Sequence, residues 1–294
     1  MGPAAARAAA DTVQHGDTVL DIEVNGVTRS AYAALAGARG SAPAPLVIGF
    51  HGGAGNAPGY LANSQLFAKC AQAGCVAACP QGTAVPFPLR GDHRVWNSGP
   101  EYERSSGGAD DVLFTQRLIA QLGTLRPLDP QRIYLTGFSN GAQMAYRLAL
   151  ELADRIAAIA PMSGGRLAGG QRPARPVPVM HFHGTADTVY PLAGGLGPAS
   201  LGRVPHAAIA DVIAEWVEFD EAGRSEEVER HSGFELQRHS GRASVELVLI
   251  VGMGHQIAGG TDDHLPGQAR KSSPDAVAMA LEFFARSDSD RARR

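Results

Sequence analysis

Apolar positions along this chain follow two alternating rhythms. Short continuous runs at 46–50, 75–79, 132–135, 156–160, 177–181 and 244–251 have the length and composition of strands covered on both faces. Between them, 66–73, 110–125, a stretch beginning at Asn140, 207–219 and 275–284 repeat apolar residues at helical spacing, with Trp216 on one apolar face. Strands alternating with helices predict an α/β fold with a mostly parallel, doubly wound sheet. Ahead of it, 17–24 and 29–35 flank Asn25-Gly26, a hairpin turn signal, so the sheet should open with an antiparallel pair. The segment 80–108 lacks periodicity and reads as a long loop, of a length that commonly serves function.

No linker interrupts the pattern. Residues 17–286 therefore read as a single domain, preceded by a flexible segment 1–16 and followed by a flexible tail 287–294. Hydrophobic residues make up 44% of the 294 and charged residues 19%, which describes a globular chain with a substantial core. The net charge of −3 provides no basic footprint for nucleic acid, and no apolar run is long enough to span a membrane. The Ala-rich start contains Arg7 and lacks the apolar core of a secretory signal, so a cytoplasmic location is expected. Cys75 and Cys79 lie four apart on one expected strand and point the same way. With Cys70 they read as buried free thiols rather than a metal site.

The chemistry is concentrated at Gly137-Phe138-Ser139-Asn140-Gly141. A strand enters this segment and a helix leaves it, the context in which G-x-S-x-G makes a nucleophile elbow with its serine exposed above the sheet. Two later strands end in loops that carry Asp187 and His255. All three residues thus fall at one edge of the sheet, where ligands bind in open α/β folds, and in the order Ser, acid, His. A serine hydroxyl is a weak nucleophile until an imidazole takes its proton, and a carboxylate orients that imidazole. Asp262 and Asp263 are rival acids. Asp110 and Asp111 read as helix-capping residues, and His183 as structural. His51 precedes Gly52 and Gly53, whose backbone N–H groups, together with that of Asn140, are candidates for an oxyanion hole. His51 itself would shape that loop or touch substrate. Trp96, on the long loop, is either a substrate wall or an anchor packed on the core.

These segments also resemble a known family. The elbow, the His51-Gly52-Gly53 loop, Trp96-Asn97-Ser98-Gly99, Asp110-Asp111-Val112, the stretch from His183 to Pro191 with Gly194-Gly195, and Gly252 to His255 are similar to the poly(3-hydroxybutyrate) depolymerases and feruloyl esterases. The resemblance implies an α/β-hydrolase fold and cofactor-free, metal-free hydrolysis of carboxylic esters by Ser139, Asp187 and His255. Members often carry a cysteine pair where Pro100-Glu101-Tyr102-Glu103 stands here, and Trp-Pro where this chain has Ile257 and Ala258. Both differences fall near the expected cleft, which makes Ile257 a candidate substrate contact. The segment 162–176 is too short for a helical cap, so an open cleft for a small or oligomeric ester is expected. Depolymerisation of a polyester, or acyl transfer by the same triad, is the alternative.

Overall fold

The computed structural model describes residues 18–35, 42–84, 93–166, 168–200, 203–223, 225–261 and 274–293. The expected flexible segment 1–16 lies outside the described residues, as do Asp262 and Asp263. Strands β1 (Thr18–Val24) and β2 (Val27–Ala34) form the expected antiparallel hairpin. Asn25 and Gly26 turn it at φ of 51° and 80°, the left-handed geometry that matches the twist of paired strands. Next come β3 (Ala44–Phe50), α1 (Ala57–Ser64), α2 (Leu66–Ala73) and β4 (Val76–Pro80). Helix α1 is missing from the sequence expectation, although Asn56 caps it by accepting the Gly59 N–H at 2.9 Å and Pro58 sits in its first turn.

The segment 80–108, expected as a loop, contains structure of its own. It holds a small antiparallel pair, β5 (Thr83–Ala84) with β6 (Arg94–Val95), and a one-turn helix, α3 (Pro100–Glu103). Then follow α4 (Asp111–Leu125), β7 (Leu128–Phe138), α5 (Asn140–Glu151), β8 (Ala158–Met162), β9 (Val179–Gly184) and α6 (Ile209–Phe219). Strand β7 is longer than its apolar run because Pro130 sits where the β3 pairing shifts register, from Ala44↔Leu128 to Leu46↔Ile133. A residue without an N–H is tolerated at such an irregularity. The chain closes with β10 (Ser225–His231), β11 (Phe234–Ser240), β12 (Val245–Ile250) and α7 (Ala276–Ala292).

One ten-stranded sheet runs in the order β1-β2-β4-β3-β7-β8-β9-β12-β11-β10. Strands β4 to β12 in that order are parallel, and an antiparallel hairpin closes each side. Alternate residues of each central strand serve opposite layers. Leu46, Ile48 and Phe50 meet α4, α5 and α6 on one face, where Trp216 is fully buried. Val47 and Tyr134 meet α1, α2 and α7 on the other, where all three cysteines are buried and free. Burial pushes their thiols up, Cys75 to about 11.

The expected tail from 287 is corrected, since α7 continues to Ala292. Ser287 is buried and returns its hydroxyl to Phe283 O at 3.0 Å, while Arg286 pairs with Glu246 of β12 at 3.1 Å. These contacts hold the polar end of the helix against the sheet. No helix among the described residues is long and apolar enough to cross a membrane.

Candidate active site

Ser139 lies between β7 and α5 at φ 56° and ψ −119°. A non-glycine residue rarely adopts that backbone, and it persists only where the surroundings enforce it. Here they do. A Cβ on Gly141 would stand 2.3 Å from Phe50 O, and one on Gly164 would stand 2.3 Å from Ser139 O. Both neighbours must therefore lack a side chain for the elbow to close against β3 and the end of β8. The Ser139 N–H is tied to Met162 O at 2.9 Å.

The three expected residues meet at this edge. His255 Nε2 is 2.9 Å from Ser139 Oγ, and its Nδ1 is 2.7 Å from Asp187 Oδ2. Asp187 is 6% exposed and its Oδ1 accepts the N–H groups of Val189 at 2.9 Å and Tyr190 at 2.7 Å. With both oxygens engaged, the carboxylate accepts a hydrogen bond from Nδ1–H, which keeps the proton there and leaves Nε2 as an acceptor facing the serine. Ser139 and His255 remain partly exposed. The loops bearing the acid and the imidazole are stitched together by Ala186 N–H to Met253 O at 2.9 Å and Gly252 N–H to Thr185 Oγ1 at 2.8 Å.

A buried series supports the acid loop from beneath. Tyr146 Oη of α5 lies 2.9 Å from His181 Nδ1, His181 Nε2 lies 3.2 Å from His183 Nδ1, and His183 Nε2 lies 2.9 Å from Tyr190 O. One proton arrangement satisfies all of them: the tyrosine donates to His181, His181 to His183, and His183 to the carbonyl. Burial holds both imidazoles below their ordinary range, which keeps them neutral as this arrangement requires.

The remaining expected site residues take other places. Gly53 sits against Asn140, where an added Cβ would be 3.4 Å from the Asn140 Cβ, and Gly52 sits against the Phe138 ring. Their backbone thus borders the elbow. Three side chains named as possible substrate contacts are enclosed, which for Trp96 is the core-anchor alternative. Trp96 is 0% exposed, packs edge-on against Phe50, and donates Nε1–H to His51 O at 2.9 Å. His51 is buried with Nδ1 2.8 Å from Gly52 O and Nε2 accepting the Gly82 N–H at 3.0 Å. Ile257 is buried in the layer that contains α7. None of the three presents a wall to a ligand, because each fills space beneath the loops.

Two residues hold the site in roles that the sequence reading did not give them. The Asn140 side chain accepts the Trp96 N–H at 2.7 Å and donates to Trp96 O at 3.2 Å and Ser98 Oγ at 2.8 Å, so it fastens the elbow to the long segment. Asp110 caps α4 as expected, accepting the Leu113 N–H at 2.9 Å. Asp111 does not cap. It is wholly buried, pairs with Arg29 of β2 at 2.8 Å and accepts the Asn97 N–H at 2.7 Å. Desolvation pushes its carboxyl up while Arg29 pulls it down. A helix-start pattern carries no sign of a partner so distant in the chain.

Comparison with known proteins agrees with the fold. The family described as Phospholipase/Carboxylesterase matches residues 36–198, more than half of the chain. Feruloyl esterase B of Piromyces equi is 31% identical over 227 residues, covering 74% of this chain and 41% of its own length. The chain thus spans less than half of that relative. A putative esterase, NocK, of Nocardia uniformis subsp. tsuyamanensis is 30% identical over 243 residues, covering 76% of this chain and 68% of its own length. Among solved structures, an acetyl xylan esterase from Aspergillus awamori superposes with a TM-score of 0.61 at 16% identity, covering 91% of this chain and 99% of that one. The chain belongs to the phospholipase/carboxylesterase family and is a feruloyl-esterase-like α/β-hydrolase.

Proposed function

We propose that the protein is a serine esterase that cleaves short-chain or aryl carboxylic esters through an acyl-enzyme on Ser139. The observation that carries this reading is the unbroken series from Asp187 through His255 to Ser139 Oγ, with contacts of 2.7 and 2.9 Å, on an elbow of enforced geometry. Ser139 Oγ attacks the ester carbonyl carbon while His255 Nε2 takes its proton, and the carbonyl electrons move to oxygen. Backbone N–H groups of Asn140 and of Gly52 or Gly53 receive that oxyanion. Collapse breaks the bond to the alcohol oxygen, which leaves with the proton from Nε2. Water then repeats the cycle, releasing the carboxylic acid and restoring Ser139.

The names of the relatives favour aryl or short acyl groups. Among the described residues, no helix stands between β8 and β9 to roof the cleft. A long apolar tunnel would add about 0.8 kcal/mol for each buried methylene, and an open cleft would not. In a p-nitrophenyl ester series, kcat/KM should therefore peak at about two to four acyl carbons. Ser139→Ala should abolish turnover, and a fluorophosphonate should label Ser139 alone. An adduct elsewhere, or turnover retained by the alanine variant, would overturn the assignment. A peak at about eight or more carbons would overturn the open cleft.

A further inference from the structure

A pocket of about 480 Å³ opens beside the elbow. Its walls come from the segments that carry the reacting side chains. Gln143 donates its N–H to Ser139 O at 3.1 Å, Gly165 follows the Gly164 that abuts Ser139, and the Tyr190 N–H holds Asp187. His206 stacks on Tyr190 with ring centroids 3.9 Å apart and lies close enough to His255 and Asp187 to feel their charges.

The charged groups of this lining are Arg166 and Glu101. Arg166 is half-buried, and its Nη1 is sealed from solvent with no hydrogen-bond partner among the described residues. Glu101, on the exposed rim, acts on it only through longer-range attraction, as do Glu151 and Glu215, while Arg147 opposes them. No ion pair with a carboxylate completes the guanidinium among the described residues. A cation held this way recovers only part of its desolvation cost, through longer-range attraction, and a planar fork of donors is shaped to receive a carboxylate. His206 Nδ1 in the same wall is also buried without a partner. Burial lowers that imidazole to about 4, so at neutral pH the ring is uncharged and can donate one hydrogen bond. Two polar groups without hydrogen-bond partners among the described residues thus belong to one pocket wall.

We infer that this pocket receives a free carboxylate carried by the substrate, held by Arg166, so that the enzyme selects esters bearing an acid group on their acyl or their alcohol part. The inference rests on the reading of Ser139 as nucleophile and adds a substrate class to it. Glu101 does not cancel the selection, because a carboxylate on the solvated rim is screened while the guanidinium behind it is partly desolvated.

Two matched pairs test it: p-nitrophenyl hydrogen glutarate against p-nitrophenyl valerate for the acyl side, and 4-acetoxybenzoate against phenyl acetate for the alcohol side. Intrinsic reactivity cancels when each acid-to-neutral ratio of kcat/KM is compared between wild type and variant. Arg166→Gln should lower the ratio about tenfold or more in one pair, the scale of a lost charge-assisted hydrogen bond, and that pair identifies the side. Arg166→Lys, which keeps the charge and loses the fork, should keep part of the ratio, and Arg166→Glu should push it lower still. Ratios unchanged in a folded Arg166→Gln protein would overturn the inference. Wild type alone supplies a second test, since glutarate should inhibit phenyl acetate hydrolysis competitively and glutaramide should not. Equal inhibition by both, or none by glutarate, would overturn it as well. Failure of the nucleophile assignment looks different: Ser139→Ala would then still hydrolyse phenyl acetate, or the fluorophosphonate adduct would lie elsewhere.

Discussion

The two oxygens of Asp187 have separate tasks, one holding the loop through two N–H groups and the other facing His255 Nδ1. Asp187→Asn keeps the loop acceptor but can present an amide N–H to Nδ1, which favours the wrong imidazole tautomer. We expect kcat to fall on the order of a thousandfold or more with the fold intact, measured by steady-state kinetics and circular dichroism. A variant with near wild-type kcat would place the acid elsewhere. Asn140 serves through its backbone and its side chain together. Asn140→Ala strips partners from Trp96 N, Trp96 O and Ser98 Oγ and should cost about 1–3 kcal/mol in denaturant unfolding. Because the staple fixes the N–H assigned to the oxyanion, kcat should fall as well. At this scale the residues proposed to react were legible, because a pentapeptide in a strand-turn-helix setting and loops after apolar strands are local patterns. The neighbours were not. Trp96, His51 and Ile257 are types that can line a cleft or fill a core, and their burial is decided by segments far away in the chain.

The elements impose a second layer of control on the acid loop. The series from Tyr146 through His181 and His183 to Tyr190 O joins α5 to β9 and to the turn that carries Asp187. His183→Leu removes the donor to Tyr190 O and the acceptor for His181, so the turn should lose its support from below. We expect kcat to fall about tenfold with KM little changed, and Tyr146→Phe, at the far end, to lower kcat less; the tenfold is the scale of one hydrogen bond's worth of misplacement. A lower melting temperature with unaltered kcat in His183→Leu would reduce the series to a purely structural role. One hairpin also escaped the sequence for a physical reason. Hairpin β10–β11 forms an edge of the sheet and carries Arg238, Glu229, Glu227 and Glu235 in exposed ion pairs. Its stretches therefore lack the apolar alternation that marks a half-buried strand.

For the molecule as a whole, one buried acid sets a pH dependence of stability. Asp220, at the end of α6, is 0% exposed and accepts the Val177 N–H at 2.9 Å through Oδ1, while Oδ2 has no partner among the described residues. Desolvation pushes its carboxyl up to about 8. The folded protein therefore binds a proton that the unfolded chain releases near the ordinary carboxyl value of about 4. Its contribution is complete below that value and is lost as pH rises through about 8, with a slope of at most about 1.4 kcal/mol per pH unit. Asp220→Asn retains the acceptor for Val177 without the charge. Its melting temperature should gain on wild type between about pH 4 and pH 8 and the gain should level off above that, read by thermal denaturation across that range. Parallel curves for the two proteins would remove Asp220 from the account.

Sequence alone determined the features that obey local rules. Alternating strand and helix periodicities specified a mostly parallel sheet, Asn25-Gly26 specified the first hairpin, and the elbow with its two later loops specified Ser139, Asp187 and His255 in order. Each depends on residues close together in the chain, where backbone sterics and side-chain period leave few options. Tertiary structure alone decided which polar groups lost their water. It paired Asp111 with Arg29 instead of the helix start, set Trp96 beneath the loop of His51, and, among the described residues, left one oxygen of buried Asp220 and the Nη1 of Arg166 in the pocket wall without partners. Desolvation depends on every segment that packs around a group, and those segments are brought together only when the sheet is assembled.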